Sequence, residues 1–231
     1  MAELRHFTIR GIRLSLPPEA FQGRLAQALE TGRYENNEAS ALEKHLRPED
    51  RFVDFGAGIG FLCALAARIC GPQSVCGVEA GPETIDMARA NLQQNGYGAA
   101  KLIHAAVTGD QVTDEAVDFG VRRNFWASGL RMGAAWGPNA QVVQVPALAS
   151  APLLQRLQPT VLSCDIEGAE IDALAAPMPA SVRLIITEIH PAVYGPAGTK
   201  RLFDGLSNQG FAYEADGSRG ATVVFRRLNA A

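Results

Sequence analysis

The sequence predicts an α/β fold built on a doubly wound, mostly parallel sheet, with a C-terminal antiparallel hairpin and a small N-terminal cap. From Arg51 onward, short apolar runs alternate with helical patterns, which is typical of a parallel sheet covered by helices on both faces. Near the end of the chain, two adjacent strand patterns flank Asp216-Gly217, a dipeptide that favours a hairpin turn. The 231 residues, 47% of them hydrophobic, supply enough apolar material for one large domain.

Residues 1–47 are expected to form a cap on the main domain, residues 48–231, because so short a segment cannot bury a core alone. Residues 6–16 alternate between polar and apolar side chains and predict a strand or hairpin. Apolar residues at helical spacing predict a helix over residues 19–32 and a second helix that stops before Pro48.

The main domain is predicted element by element from its apolar runs. A strand at RFVDF enters a glycine-rich turn and an apolar helix, FLCALAARIC. A second strand, SVCGVEA, precedes a helix with Pro82 near its start and Gly96 just past its end. KLIHAAV, VLSCD and VRLIITEIH indicate further strands, with a helix-compatible stretch at 168–176. The segment 108–146 is the least regular.

Charge and cysteine usage exclude several classes of protein. A net charge of −3 and a pI near 5.8 argue against nucleic-acid or anionic-membrane binding by bulk electrostatics. No apolar run approaches the ~18 residues of a membrane-spanning helix, and the first residues carry charges unlike those of a secretion signal. The four cysteines match no zinc pattern and are expected to be reduced and buried. The chain is therefore predicted to be cytoplasmic, with no nucleic-acid or membrane partner, and the sequence leaves its oligomeric state open.

A glycine-rich turn follows the first strand of the main domain, and ligands of such sheets bind outside the carboxyl ends of the strands. Gly56, Gly58 and Gly60 permit a tight turn whose backbone touches a ligand, and the amides of the following helix face an anion. Phe61 stands where the third glycine of a dinucleotide motif would fall, and Asp54 adds negative charge where a pyrophosphate would sit. The turn therefore favours a cationic ligand with one small carboxylate, and S-adenosylmethionine fits this description.

Carboxylates at several strand ends predict an acidic rim around one crevice. Four predicted strands end in such a residue: Asp54, Glu79, Asp165 and Glu188. Glu79 is placed to accept hydrogen bonds from both ribose hydroxyls of S-adenosylmethionine. The predicted cofactor set also includes Ala57, Ala80, Ala106, Tyr34 and Glu38. Tyr34 and Glu38 are expected near the methionine end, because their helix leads into the first strand, although packing at the helix start explains them equally well.

The segment DIEGAE follows a later strand and adds further acidic groups. On an extended segment Asp165 and Glu167 point the same way, since side chains alternate with a period of two. Gly168 lets the chain turn into a helix and leaves Glu170 in its first turn, where the helix dipole favours it as an N-terminal cap. Asp165 lies where the cleft opens, which favours a functional role.

His190 follows Glu188 at the end of another predicted strand and titrates near neutrality. It is placed to take a proton from an alcohol, although a lone histidine in a loop is more often a surface residue. We interpret Asp165 and His190 together as the general base, oriented by Glu167 or Glu188. The alternative is a Mg²⁺ ion held by Asp165, Glu167 and Glu188, since Mg²⁺ prefers oxygen ligands; no metal site is otherwise assigned.

These residues resemble those of the FkbM-type S-adenosylmethionine-dependent methyltransferases, over residues 34–213. The resemblance rests on YENNE, VDFGAGIGF, GVEAGPETI, EIH and, most distinctively, DIEGAE. It implies a class I methyltransferase (Rossmann-like) fold with a seven-stranded sheet, and methyl transfer to a hydroxyl of a sugar or secondary metabolite. It also implies which residues act: Asp54, Gly56, Gly58 and Glu79 contact the cofactor, and Asp165 and Glu167 belong to the site.

The resemblance leads us to expect a small-molecule acceptor, contacted by the segment 108–146. Within it, the aromatic segment 124–129 either stacks on a sugar ring and covers the cleft or fills the core. Two other classes of function stay open. A nicotinamide-dependent Rossmann oxidoreductase would share the sheet and an acidic residue after the second strand, but Phe61 and the missing glycine count against it. A non-catalytic S-adenosylmethionine-binding protein would keep the glycine turn without needing the cleft carboxylates.

Overall fold

The computed structural model describes residues 4–20, 23–122, 128–130 and 140–228. The strands are β1 (Arg5–Ile9), β2 (Ile12–Leu16), β3 (Phe52–Phe55), β4 (Val75–Glu79), β5 (Lys101–His104), β6 (Ala106–Thr108), β7 (Ala116–Val121), β8 (Gly129–Leu130), β9 (Gln141–Ala149), β10 (Val161–Cys164), β11 (Leu184–Glu188), β12 (Phe211–Arg219) and β13 (Thr222–Arg227). The helices are α1 (Gly23–Glu30), α2 (Asn36–His45), α3 (Phe61–Cys70), α4 (Pro82–Gln94), α5 (Ser150–Leu157), α6 (Glu170–Ala173) and α7 (Pro191–Asn208). Within the described ranges, no helix is both long and apolar enough to cross a membrane.

The main sheet has seven strands in the order β12-β13-β11-β10-β3-β4-β5. The five strands from β11 to β5 run parallel, and β13 and β12 continue the sheet as an antiparallel hairpin. This confirms the predicted doubly wound, seven-stranded sheet with an antiparallel edge. The central strands β3 and β10 are buried along their whole length. Their carboxyl ends open into a crevice.

Helices cover both faces of this sheet and create two hydrophobic clusters. Phe52 and Phe55 of β3 point to opposite faces and belong to different clusters, each fully buried. Burying such a side chain contributes about 1.5–3 kcal/mol of stability. The hairpin β1–β2 joins the cluster of Phe52, where Leu14 packs with Phe61 of α3. The cap therefore shares a core with the helix that follows the glycine turn.

Asn91 of α4 links the cap hairpin to the glycine-rich turn. Its Oδ1 accepts a hydrogen bond of 2.8 Å from the amide of Ser15, and its Nδ2 donates to the carbonyl of Ile59 at 2.9 Å. The side chain is fully buried, so these bonds replace those that it would make with water. Residues 12–16 thus help to fix the position of the turn.

A second, smaller sheet departs from the sequence prediction. Its order is β6-β9-β7-β8, and it includes most of the described part of the segment that looked least regular. The single strand predicted at KLIHAAV is divided at Ala105, so that β5 belongs to the main sheet and β6 to the second sheet. Residues 124–127 of the predicted aromatic segment lie outside the described residues.

Two predicted turns also differ in position. The C-terminal hairpin turns at Gly220, which has a φ of 63°, and not at Asp216-Gly217. Asp216 instead lies in an irregularity of β12, where its carbonyl contacts Nε2 of His45 at 2.7 Å and its carboxylate pairs with Lys44. Contacts with α2 therefore outweigh the local turn signal.

The helix predicted over residues 168–176 is a single turn, α6. Glu167 and Gly168 both have positive φ, 56° and 109°, so the helix begins only at Glu170. The helix predicted over residues 19–32 likewise shortens to α1, which begins at Gly23.

Candidate active site

A cavity lies at the carboxyl ends of β3, β4 and β10, between the main sheet and the second sheet. It encloses about 690 Å³, part of it open to solvent, which lies within the ~300–1,000 Å³ typical of small-molecule sites. The predicted residues that line it are Tyr34, Gly56, Gly58, Glu79, Ala80, Ala106, Asp165 and Glu167. The second sheet adds the apolar side chains of Phe119 and Leu130. The cavity therefore joins an apolar wall to an acidic one.

The glycine-rich turn forms the floor of this cavity because side chains would not fit there. A Cβ atom on Gly56 would stand 1.8 Å from the backbone carbonyl oxygen of Asp165, and one on Gly58 would stand 3.2 Å from the hydroxyl of Tyr34. Both glycines also have positive φ, 86° and 51°. The turn thus brings the backbones after β3 and β10 into close contact and leaves its own backbone exposed to a ligand.

Gly60 and Ala57 differ from the rest of the predicted glycine turn in that neither lines the cavity. Gly60 is the residue before α3 and has a φ of 82°. A Cβ atom at Gly60 would lie 3.2 Å from Ala88, so this glycine allows α3 and α4 to approach each other. Ala57 is buried, and its amide donates to the carbonyl of Val78. Their contact with the cofactor stays a prediction.

Asp54 also departs from the prediction, because its side chain lies beneath the turn and does not line the cavity. It is 2% exposed, and the thiol of Cys63 lies 3.5 Å from its Oδ2. Burial raises the pKa of Asp54 to about 7, although hydrogen bonds from Ser163 and Cys63 oppose the increase. Asp54 therefore supports the turn from below.

Glu79 closes β4 and points into the cavity, as predicted. Its two carboxylate oxygens accept hydrogen bonds from the amides of Gly58, at 2.8 Å, and Gly81, at 2.7 Å. Burial raises the pKa of Glu79 to about 7 despite these two bonds. Each carboxylate oxygen has a second lone pair, so the group that orders the turn retains acceptor capacity for ligand hydroxyls.

A larger acidic recess adjoins the cavity. The recess is the space of about 1,770 Å³, including open solvent, that is bounded by acidic side chains. Its carboxylates are Glu35, Glu38, Asp165, Glu167 and Glu188. Tyr34, Glu35, Asp165 and Glu167 line both the cavity and the recess. A group bound in the recess would therefore lie next to a ligand in the cavity.

Glu38 lines the recess and not the cavity, and its contact with the cofactor stays a prediction. Its carboxylate accepts a hydrogen bond from the hydroxyl of Thr222 on β13, and both residues are buried. The bond anchors α2 to the edge of the main sheet. Glu38 therefore forms part of the wall of the recess.

His190 brings the predicted catalytic residues together. Its Nε2 lies 3.6 Å from Oδ1 of Asp165 and 3.6 Å from Oε2 of Glu167, and its Nδ1 lies 3.3 Å from Oε1 of Glu170. Burial lowers the pKa of His190, but the neighbouring carboxylates of Glu170, Glu167 and Glu188 outweigh it, so the pKa is raised.

The pKa values of the acids around His190 are raised, which favours the neutral forms of these acids. Burial raises the pKa of Glu167 to about 7, although His190 opposes the increase. Burial, followed by repulsion from Glu188 and Glu167, raises the pKa of Asp165 well above its ordinary value. A cation bound in the recess would oppose these increases and favour the ionised forms of the acids.

Sequence reasoning missed the role of Glu170, which was interpreted as a helix cap. Its side chain is fully buried and turns back onto the loop after β10, where it accepts hydrogen bonds from the amides of Ile166 (2.8 Å) and Gly168 (3.1 Å). The carboxylate thus fixes the loop that carries Asp165 and Glu167. Its only sequence signal is its place in DIEGAE.

Glu35 is a second residue that the sequence reasoning left out of the site. It has a φ of 46°, in the left-handed region, and directly precedes α2. Burial raises its pKa, which a hydrogen bond with the hydroxyl of Tyr34 opposes. Its place beside Tyr34 at a predicted helix start was the available signal. The unusual backbone turns this carboxylate towards both the cavity and the recess.

Comparisons with known proteins agree with the architecture of the cavity. Residues 31–128 match the family model described as "Ribosomal protein L11 methyltransferase (PrmA)". The ribosomal protein L11 methyltransferase of Geobacillus kaustophilus is 44% identical over 55 residues, which are 24% of this chain and 17% of that protein. That of Thermus thermophilus is 37% identical over 71 residues, which are 30% of this chain and 27% of that protein. The chain thus spans about a quarter or less of the length of these curated relatives.

Solved structures extend the comparison to the whole chain. A putative transferase from Pyrococcus horikoshii has a TM-score of 0.54 at 11% identity, covering 98% of this chain and 72% of its own. A putative rRNA-methylase from Clostridium thermocellum has a TM-score of 0.50 at 10% identity, covering 85% of this chain and 96% of its own. The chain has the class I methyltransferase fold. Its matched segment, which holds the glycine turn and Glu79, is similar to that of S-adenosylmethionine-dependent methyltransferases.

Several predictions change in light of the methyltransferase comparisons. The expected small-molecule acceptor is wrong, because the matched relatives are methyltransferases of a ribosomal protein. The resemblance to the FkbM type stays a prediction, since the matching model is that of the L11 methyltransferases. The comparisons give no support to Mg²⁺. The matched family and the fold favour a methyltransferase over a nicotinamide-dependent oxidoreductase.

Proposed function

We propose that this chain transfers the methyl group of S-adenosylmethionine to an amine nitrogen of a protein. The observation that carries the proposal is the junction between the cavity and the acidic recess, which share Tyr34, Glu35, Asp165 and Glu167. A donor in the cavity and an acceptor in the recess would meet at these residues. Such positioning alone supplies ~7–11 kcal/mol of a two-substrate barrier.

The residues of the cavity fit S-adenosylmethionine by charge and by shape. The glycine floor at Gly56 and Gly58 admits a ligand where a Cβ atom would collide with the protein. Glu79 would accept hydrogen bonds from the ribose hydroxyls, and Glu35 and Asp165, which line the same cavity, would balance the positive charge of the donor. When bound, S-adenosylmethionine supplies an electrophilic methyl carbon, whose bond to sulfur breaks as its bond to the acceptor forms.

An amine acceptor is favoured because the recess is lined by five carboxylates and only two arginines, Arg33 and Arg219, among the described residues. An ammonium group enters such a recess with favourable electrostatics, whereas a neutral hydroxyl gains little from the charge. The matched relatives are methyltransferases of ribosomal protein L11, so L11 is the first acceptor to test. The open recess has room for a side chain or chain terminus delivered on a protein surface.

The residues of the recess would then handle the proton. An ammonium must lose one proton before its nitrogen can attack, and the proton passes to Asp165 and His190, whose Oδ1 and Nε2 lie 3.6 Å apart. Glu167 and Glu188 flank this pair and orient the acceptor. A positioned base of this kind contributes ~10²–10⁴-fold to the rate.

The experiment uses S-adenosylmethionine labelled in its methyl group, purified chain, and L11 together with peptides that carry either free or acetylated amines. Label is expected in L11 and in the free-amine peptides only. His190→Ala is expected to lower turnover by about 10²-fold or more, with little change in the affinity for S-adenosylhomocysteine measured by calorimetry, because His190 does not line the cavity. Asp204→Asn, an exposed change on α7, is the control and keeps turnover.

Each alternative has a distinct result. Label only on hydroxyl groups would replace the amine acceptor with the oxygen acceptor that the FkbM resemblance implies. Binding of S-adenosylhomocysteine without transfer to any protein would indicate a non-catalytic binding protein. Thermal stabilisation by NADH, and none by S-adenosylhomocysteine, would overturn the assignment of the cavity.

A further inference from the structure

Three side chains at the edge of the recess have the composition and spacing of a metal site. Asp165, Glu188 and His190 each offer one donor atom, and these atoms all lie within 4.8 Å of one another. They come from the carboxyl ends of the neighbouring parallel strands β10 and β11, so the main sheet holds them in place. In the part of the chain that the structure describes, no other group of three such residues meets this spacing.

The imidazole of His190 is held as metal-binding histidines are usually held. A metal-binding histidine commonly donates its second ring N–H to a carboxylate, which fixes the orientation of the ring. Here Nε2 faces Asp165, and Nδ1 lies 3.3 Å from Oε1 of the fully buried Glu170. Glu170 is itself fixed by two backbone amides of the loop after β10.

One buried polar atom of this cluster lacks a protein partner. Among the described residues, Oδ1 of Asp165 is one of the few buried side-chain atoms without a hydrogen-bond partner, and it lies 3.6 Å from Nε2 of His190. Buried polar atoms in native proteins nearly always have a partner, so an unpartnered carboxylate oxygen that faces an imidazole nitrogen indicates a ligand at this point.

We infer that Asp165, Glu188 and His190 bind a divalent transition-metal ion of the Zn²⁺ class. Two oxygens and one imidazole nitrogen suit Zn²⁺ or Co²⁺ better than Mg²⁺, which prefers oxygen ligands alone. Bonds of ~2.0–2.2 Å at the tetrahedral angle place two ligands of one Zn²⁺ about 3.3–3.6 Å apart, so donor atoms that lie within 4.8 Å of one another must approach by about 1.5 Å at most. Three protein ligands leave one coordination position open to the recess.

A bound metal ion goes beyond the proposed methyl transfer and would compete with it. The ion would use the lone pairs of Asp165 and His190 that otherwise receive the proton of the acceptor. It would also repel an incoming ammonium group. Zn²⁺ therefore competes with the protein amine, and the recess holds one cation or the other.

The experiment is a calorimetric titration of the full chain with Zn²⁺, repeated with Co²⁺ and visible spectroscopy, without donor or acceptor. One ion is expected to bind each chain. His190→Ala and Glu188→Gln are each expected to weaken binding by about 100-fold or more, and Glu170→Gln by ~10–100-fold. His6→Ala removes an exposed histidine on the cap hairpin and is the matched control, with unchanged affinity. Circular dichroism checks that each variant folds.

The proposal is overturned if the chain shows no saturable binding of Zn²⁺ or Co²⁺, or if His190→Ala and Glu188→Gln bind as tightly as His6→Ala. If His190→Ala does not fold, Glu188→Gln decides, because Glu188 lines the recess at the end of its strand. Since no methyl transfer is measured, failure here leaves the proposed function standing. Conversely, Zn²⁺ binding without any methyl transfer would support the metal site alone.

Discussion

Replacing Asp54 by asparagine tests whether a buried charge is kept under the glycine turn. The ordinary pKa of this carboxyl is 3.8, and burial raises it to about 7 in the folded chain. Between about pH 5 and pH 8 the unfolded chain therefore binds fewer protons at this position than the folded chain, and folding stability falls as the pH rises. At ~1.36 kcal/mol per pKa unit, ionisation of the folded carboxyl over this range costs about 2.5 kcal/mol.

Asp54→Asn removes this titration while keeping the size of the side chain. We expect the free energy of unfolding of the variant, relative to the wild type, to increase by about 2.5 kcal/mol from pH 5 to pH 8. Urea unfolding at several pH values, followed by circular dichroism, measures the difference. Every other titrating group is common to both proteins, so the slope reports Asp54 together with the repulsion that it exerts on Glu79 and Glu35. A difference that does not change with pH would refute the reasoning.

Asp50→Asn is the matched control, because Asp50 is equally buried but titrates in the opposite direction. Burial raises the pKa of Asp50, but hydrogen bonds from Arg183 and Thr160 outweigh it, and the pKa lies below its ordinary value. Asp50 therefore contributes its full stability at any pH above its ordinary pKa. This stability is lost only as the pH falls through the lowered pKa of the folded chain. Asp50→Asn should therefore destabilise the chain about equally at pH 5 and pH 8.

Three other predictions follow from the geometry of the site. Gly56→Ala should abolish the binding of S-adenosylhomocysteine and destabilise the chain, because the new Cβ atom would collide with the carbonyl of Asp165. Gly205→Ala is the control and should fold and bind normally, because there is open space around its Cβ atom. Calorimetry measures the binding and thermal unfolding measures the stability. The affinity of the wild type for S-adenosylhomocysteine should rise about tenfold from pH 6 to pH 8, as Glu79, with a pKa of about 7, ionises, and this rise should be absent in Glu79→Gln. The four buried cysteines should react with a thiol reagent only after unfolding, and rapid reaction of the native chain would contradict their burial.

The alternation of strands and helices in the main sheet, its antiparallel edge, and the meeting of the acids at one edge could be predicted from the sequence. Buried parallel strands give continuous apolar runs, and their carboxyl ends meet at one edge of the sheet, so Asp165 and Glu188 were expected near each other. Glu79 was expected in the cavity for the same reason. These predictions use only local patterns and one rule of topology.

Predictions failed where a local signal had two physical explanations. Gly56 and Gly60 look alike in the sequence, but Gly56 is required by close contact with the backbone of Asp165 and Gly60 by the packing of Ala88. Asp54 was expected to end its strand as Glu79 does, yet β3 continues to Phe55 and the side chain of Asp54 is buried away from the cavity. Such distinctions depend on contacts between distant parts of the chain, which periodicity does not contain.

The hydrogen bond between Thr222 and Glu38 joins two residues that are 184 positions apart in the sequence and lie together in the wall of the recess. During synthesis, α2 leaves the ribosome long before residue 222 has been added, so this side of the recess has no support until β13 joins the sheet. The bond between the amide of Gly58 and Glu79 spans only 21 positions. A nascent chain would thus order the glycine turn beside Glu79 before it could close the wall of the recess.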